Sequence, residues 1–168
     1  MSTDLIGLLA NIALTLSFIV AVIFGIAQMK TARKDRRERL TLEALRNFQS
    51  REFAGMLLMT STAKFPANAE EWISWPVDDR EKFIQLLQLM ESLGILLADK
   101  LINYDLVDKT LGSYVATSWE RFKPFVLDMR EKLADPYMSE YFQWMAEQID
   151  QRMKENPRKP FYQLHKPL

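Results

Sequence analysis

Acid–base chemistry at neutral pH usually recruits histidine. This chain of 168 residues holds one, His165, close to its end, and no cysteine. That excludes a disulfide scaffold, a thiolate metal site and a cysteine nucleophile. Carboxylates are the remaining candidates. Glu70-Glu71 and Asp78-Asp79 are adjacent pairs of the sort that serve a metal or a glycosidic bond. Both stand where helices are expected to begin, and the helix dipole accounts for acids there without catalysis. Glu91 is different, because on a helical wheel it falls among Ile84, Leu87, Ile95 and Ala98. A carboxylate on an apolar flank needs a partner; Arg130 is the expected one, with Trp119 or Arg121 as alternatives. No H-E-x-x-H, G-x-x-x-x-G-K-[ST] or G-x-S-x-G motif occurs, and only five glycines are present to cradle a phosphate. The inventory predicts a non-enzyme with no catalytic residue, metal or cofactor. Lys plus Arg equals Asp plus Glu at 22 each, so no basic excess argues for nucleic acid.

The elements that would position these groups divide sharply. Leu5 to Met29 is 25 residues without a charge. As a helix it would span roughly 38 Å, enough to cross a hydrocarbon core of about 30 Å. A cleavable signal peptide fits poorly, since no Lys or Arg precedes the run. Lys30 to Arg39 follows with six basic residues against Asp35 and Glu38, a net charge of +4. The flank richer in Lys and Arg stays inside, so the N-terminus should face outward and everything after Met29 should be cytoplasmic. Residues 40–168 reverse the balance, with 16 basic against 19 acidic residues.

Within the span, Gly7, Asn11, Ala21, Gly25 and Gln28 fall on one seam with Leu14 and Phe18. Small residues let helices approach closely, and Asn11 would be costly against lipid, so this seam is expected to pack span against span in a homo-oligomer. Lys30, Arg33, Lys34 and Arg37 share one helical face beside the lipid headgroups.

The head reads as all-α, an antiparallel helical bundle continuing from the transmembrane helix. No proline occurs before Pro66 and no glycine between Gly25 and Gly55, so one helix is expected to run on to about residue 62. Leu42, Leu45, Phe48, Phe53, Met56 and Leu57 should supply its buried stripe. Asn68 with Glu71 reads as a capping box for a short helix bearing Trp72 and Trp75. Asp78 or Asp79 should cap a helix to about Lys100. A further helix is expected from Asn103–Asp105 to about Trp119, kinked or restarted at Pro124 and continuing to Leu133. Asp135-Pro136 reads as the start of the last helix. The expected divisions are a transmembrane anchor over 1–29, a basic collar and continuation over 30–62, a bundle over 63–154 and a Pro-rich, irregular tail over 155–168.

Several motifs, taken together, resemble a known family: Glu91-Ser-Leu-Gly94, Leu101-Ile-Asn-Tyr-Asp105, Trp119 followed by Lys123-Pro124-Phe125, Arg130, and Tyr137 through Phe142. The chain resembles a bacterial family of domains of unknown function with one N-terminal membrane span and a cytoplasmic helical head, over roughly residues 83–147. The resemblance implies the bacterial inner (plasma) membrane and brings no activity. The family's recurring Glu, Gly, Trp and Arg fall on Glu91, Gly94, Trp119 and Arg130, expected to form a structural network in the head. The expected function is a membrane-anchored interaction or scaffold module whose partners are the bilayer, further copies of itself and an unidentified cytoplasmic protein. The alternative is an oligomeric membrane-perturbing effector of the toxin or phage-defence type.

Overall fold

The computed structural model describes residues 3–62 and 65–164, and His165 with the rest of the extreme C-terminus lies outside them. The elements are α1 (Thr3–Arg46), a short 3-10 turn (Asn47–Gln49), α2 (Arg51–Thr62), α3 (Ala69–Ile73), α4 (Val77–Ala98), α5 (Tyr104–Leu133), α6 (Glu140–Glu155) and α7 (Phe161–Leu164). No strand occurs among the described residues. Two compact units divide the chain, Met1–Arg39 and Leu40–Leu168, so the division falls inside the stretch read as collar and continuation.

The first unit is a single helix. Its apolar side chains are exposed, Leu14 at 72% and Phe18 at 69% among them, and it is long and apolar enough to cross a membrane. A helix that shows apolar residues on every side suits lipid rather than water.

The second unit is a helical bundle in which α6 packs against both α4 and α5. Phe83, Phe122, Phe125 and Phe142 are fully buried. Phe83 meets Phe122 at 4.5 Å and Phe125 edge-on at 4.9 Å between ring centroids. Phe122 meets Phe142 at 5.9 Å, so α4, α5 and α6 share one aromatic centre.

Several helix boundaries differ from expectation. The helix expected to reach residue 62 ends at Arg46, and α2 restarts after Ser50. Ser50 is extended at φ −79°, ψ 156°, and its Oγ accepts a hydrogen bond from the Phe53 N–H. A serine cap thus restarts the helix without proline or glycine. Of the expected stripe, Leu45, Phe53 and Met56 are buried and Phe48 is half-buried, whereas Leu42 and Leu57 are exposed and Thr41 and Thr60 are buried beside them. Asp78 and Asp79 lie in the first turn of α4, whose N-cap is Pro76. Pro124 neither ends nor restarts α5. It lies on the exposed face, where water can reach the Glu120 carbonyl that its missing N–H leaves unbonded. Asp135-Pro136 opens a turn rather than a helix: the Asp135 carboxylate accepts from the Tyr137 N–H, and α6 begins at Glu140. The tail is irregular at residues 156–160 and then forms the short α7.

Local capping signals hold elsewhere. Asn103 caps α5 by accepting from the Leu106 N–H. Asn68 caps α3 by accepting from the Glu71 N–H, while Glu71 reaches back to the Ala67 N–H. The five-residue α3 is then tied to α5, because the Ala69 N–H donates to the Asp128 carboxylate at 2.9 Å and Lys132 donates to it at 3.0 Å. These two donors, the backbone first, hold the Asp128 carboxyl below its ordinary value of 3.8. A lowered folded-state pKa means that the contribution to stability is complete above pH 3.8 and is lost as pH falls through the folded value. Thermal unfolding should therefore separate the native chain from Asp128→Asn at about pH 6, and the two curves should converge towards about pH 2.

Candidate functional site

Glu91 and Gly94 lie three residues apart on one face of α4, and that face receives the start of α6. Ser139, the residue before α6, adopts a left-handed conformation at φ 57° and makes no side-chain cap. Glu91 supplies the cap from another helix: its carboxylate accepts from the Phe142 N–H at 2.7 Å and from the Tyr141 N–H at 3.2 Å. The Glu140 N–H donates to the Tyr137 carbonyl, which completes the first turn. A negative charge at a helix N-terminus also faces the positive end of its dipole. The expected pairing with Arg130, Trp119 or Arg121 is thus replaced by the backbone N–H groups of Tyr141 and Phe142.

Gly94 explains how α6 comes so close. A Cβ at this position would stand 2.4 Å from the Tyr141 carbonyl oxygen and 2.6 Å from its carbon. The E-x-x-G spacing therefore provides both the cap and the clearance. Arg130 fixes the turn that leads into α6: Nε donates to the Met138 carbonyl at 2.9 Å, and a terminal nitrogen donates to Gln143 at 2.7 Å. The same turn passes through Ala134 at φ 52°, with the Asp135 N–H returning to the Arg130 carbonyl. Trp119 packs its ring edge-on against Phe142 at 5.2 Å. The four residues singled out from sequence thus surround the first turn of α6.

A second charged cluster escaped the sequence reading. Asp108 on α5 is 2% exposed, and Arg158, from the irregular segment after α6, donates to its carbonyl at 2.9 Å and its carboxylate at 3.3 Å. Arg152 stands 3.7 Å from the same carboxylate and bonds Asp105 at 2.7 Å. Its guanidinium lies over the Tyr104 ring, 5.3 Å from the centroid. Burial, and then the Asp108 charge, push the Tyr104 hydroxyl above its ordinary value. A Cβ on Gly112 would stand 2.4 Å from the Asp108 carboxylate oxygen. The D-x-x-x-G spacing at 108 and 112 was the available signal.

The span residues Gly7, Asn11, Ala21, Gly25 and Gln28 all lie on the continuous helix α1. Open space stands beside Gly7 and Gly25, and the Thr15 hydroxyl donates to the Asn11 carbonyl at 2.8 Å. Lys30, Arg33, Lys34 and Arg37 are exposed on the same helix, with Lys34 3.8 Å from Glu38. Among the described residues no three His, Cys, Asp or Glu side chains gather to hold a metal ion.

These features define a class: an all-α protein in which a membrane-length apolar helix precedes a helical head closed around the capped start of its last long helix. The chain belongs to the DUF4760 family, a domain of unknown function, whose model matches residues 15–149. The match begins within the apolar helix and includes Glu91, Gly94, Trp119 and Arg130, a wider span than the motifs alone suggested. No curated protein and no solved structure matches the chain.

Replacing Gly94 by Ala forces a methyl against backbone that has no rotamer to yield, so it should cost about 1–3 kcal/mol or more. Glu91→Ala should cost about 1–3 kcal/mol by stranding two N–H groups, and Glu91→Gln, which keeps an acceptor, should cost less. Chemical unfolding followed by tryptophan fluorescence measures both; equal losses for Gln and Ala would remove the two N–H bonds as the source.

Proposed function

We propose that this protein is a non-enzymatic, single-pass membrane anchor that presents a helical interaction surface on the cytoplasmic side of a bacterial inner membrane. The observation that carries the reading is the sequence of α1 itself. Its apolar residues face outward all round, and the strongly basic collar follows them on one side only. Basic residues retained on one flank set the orientation, which supports the N-terminal side of α1 outside and the head inside. Each basic residue near an anionic surface adds on the order of 1 kcal/mol, so the face formed by Lys30, Arg33, Lys34 and Arg37 would also hold the collar at the headgroups. The head favours an interaction role because its distinctive polar groups, Glu91, Arg130 and Asp108, are engaged in holding helices together. Protease added to intact cells should spare the head, and protease added to inverted vesicles should digest it; the reverse pattern would overturn the orientation.

The span seam supports self-association of the anchor. Ala21 and Gly25 are a small-xxx-small pair, and Asn11 offers an interhelical hydrogen bond worth about 0.6–2 kcal/mol. A membrane-perturbing effector is the second reading, favoured by Asn11 and Gln28 on the same seam, where a larger ring would turn them inward. Crosslinking in native membranes should weaken in Asn11→Leu and in Gly25→Ile. Association without ion leakage on overexpression supports the anchor, and leakage lost in the same variants supports the effector.

A further inference from the structure

Residues 156–160 join α6 to α7 without regular structure. Pro157 and Pro160 have no N–H to donate, and the backbone bonds described here stay local, from Asn156 to Arg152 and from Gln163 to Pro160. Residues 154–160 and 162–164 are all exposed. Among the described residues, Arg158 alone bonds this segment to α5, through the Asp108 carbonyl and carboxylate. The two sides of that latch are unequal: the Asp108 side chain is 2% exposed and the Arg158 side chain 40%. Arg152, 3.7 Å from the carboxylate, remains beside it when Arg158 leaves. The Glu91 cap belongs to the first turn of α6 and the latch to residues beyond its last, so the segment can open without breaking the cap. A segment with few buried contacts and an exposed backbone opens at low cost.

The latch lies at the end of the head where the chain enters it. The Asn103 N–H, just before α5, donates to the buried Thr41 hydroxyl at 2.8 Å. Thr41 follows Arg39, the last basic residue of the collar, by two positions. Asp108 is five residues along α5 from Asn103, a rise of about 7.5 Å. The tail has the chemistry of an anionic-surface binder. Residues 156–168 include Arg158, Lys159 and Lys166 and no acid. Tyr162 and Leu164 are 76% and 57% exposed. Basic residues near a membrane span are drawn to anionic lipid, and apolar side chains beside them enter the headgroup boundary.

We propose that residues 156–164 are a strap that exchanges between the head and an anionic lipid surface. In the latched state Arg158 closes over Asp108. In the released state Arg158, Lys159 and Tyr162 lie on the lipid, and the Asp108 carboxylate opens to water beside Arg152. The proposal rests on the anchor reading above and adds a lipid-dependent change in the face that the head presents.

The test uses the full chain, one copy per nanodisc, in phosphatidylcholine alone and with added phosphatidylglycerol. The chain has no cysteine, so nitroxides at Thr110→Cys and Tyr162→Cys, both exposed positions, report the α5–α7 distance by pulsed electron resonance. One short distance should hold in phosphatidylcholine, and a longer, broader population should grow with phosphatidylglycerol and shrink with salt. Arg158→Gln and Asp108→Asn, which remove either side of the latch, should each show the long population without anionic lipid. Lys159→Gln leaves the latch intact and should weaken lipid-driven release about fivefold, the share of one basic residue. The near-ultraviolet circular dichroism of the tryptophans should stay constant throughout release. A distance unmoved by phosphatidylglycerol, or moved as far by a soluble acidic peptide, (Gly-Glu)3, overturns the exchange. Loss of the tryptophan signal on release also overturns it, because the head would then be unfolding. Retention of the chain in the phosphatidylcholine discs reads the anchoring separately, so a retained chain with an unresponsive strap sinks the strap and leaves the anchor standing.

Discussion

The head is organised around one carboxylate on a helix end. Glu91 reaches from α4 to the second and third N–H groups of α6, where Ser139 is left-handed and offers no cap of its own. A helix as short as α6 is marginal alone in water, so tertiary contacts decide whether it forms. Those contacts are unusually shared. Helix α6 packs broadly on both α4 and α5, which meet each other mainly through Phe83, Phe122 and Phe125, and Phe142 carries the aromatic centre across to Trp119 and Phe122. Removing the cap would therefore loosen the element that packs on both of the others.

Carboxylate and glycine occur together twice in the head. Glu91 with Gly94 and Asp108 with Gly112 each occupy one helical face, at spacings of three and four residues. At Gly94 the missing Cβ clears a neighbouring backbone; at Gly112 it clears the carboxylate itself. The chain has only five glycines, and Gly7, Gly25 and Gly55 have open space around them. Two of the five glycines are thus placed where a bonded carboxylate and a close approach coincide. The two carboxylates are satisfied differently, Glu91 by backbone N–H groups and Asp108 by two arginines.

Much of the architecture was legible because its causes are local. The uncharged run and the basic block after it define the apolar helix and collar, and the caps at Asn68 and Asn103 are short-range side-chain-to-backbone bonds. The errors share a different origin. Asp135-Pro136 carries a helix-start signal, yet Arg130 holds the Met138 carbonyl and delays α6 to Glu140. The need of Glu91 for a partner was readable from its apolar flank. The partner was not, because a backbone N–H has no signature in sequence and only the fold brings residue 91 to residue 142. The break at Asn47–Ser50 has neither proline nor glycine; its serine cap and the packing of Phe53 create it. Arg158 was hidden for the same reason, lying 50 positions from the Asp108 it closes.

The position of Arg158 and of α6 near the end of the chain sets an order of events during synthesis. Translation proceeds from the N-terminus at about 5–20 residues per second. Helices α4 and α5 therefore leave the ribosome while Glu91 still lacks Tyr141 and Phe142 and Asp108 still lacks Arg158. For that interval Phe83, Phe122 and Phe125 have no Phe142 to complete their cluster, and the carboxylates of Glu91 and Asp108 remain hydrated. The head closes only when α6 and Arg158 have been made, so a ribosome that stops short of α6 would release a chain with an apolar helix and an open, adhesive head.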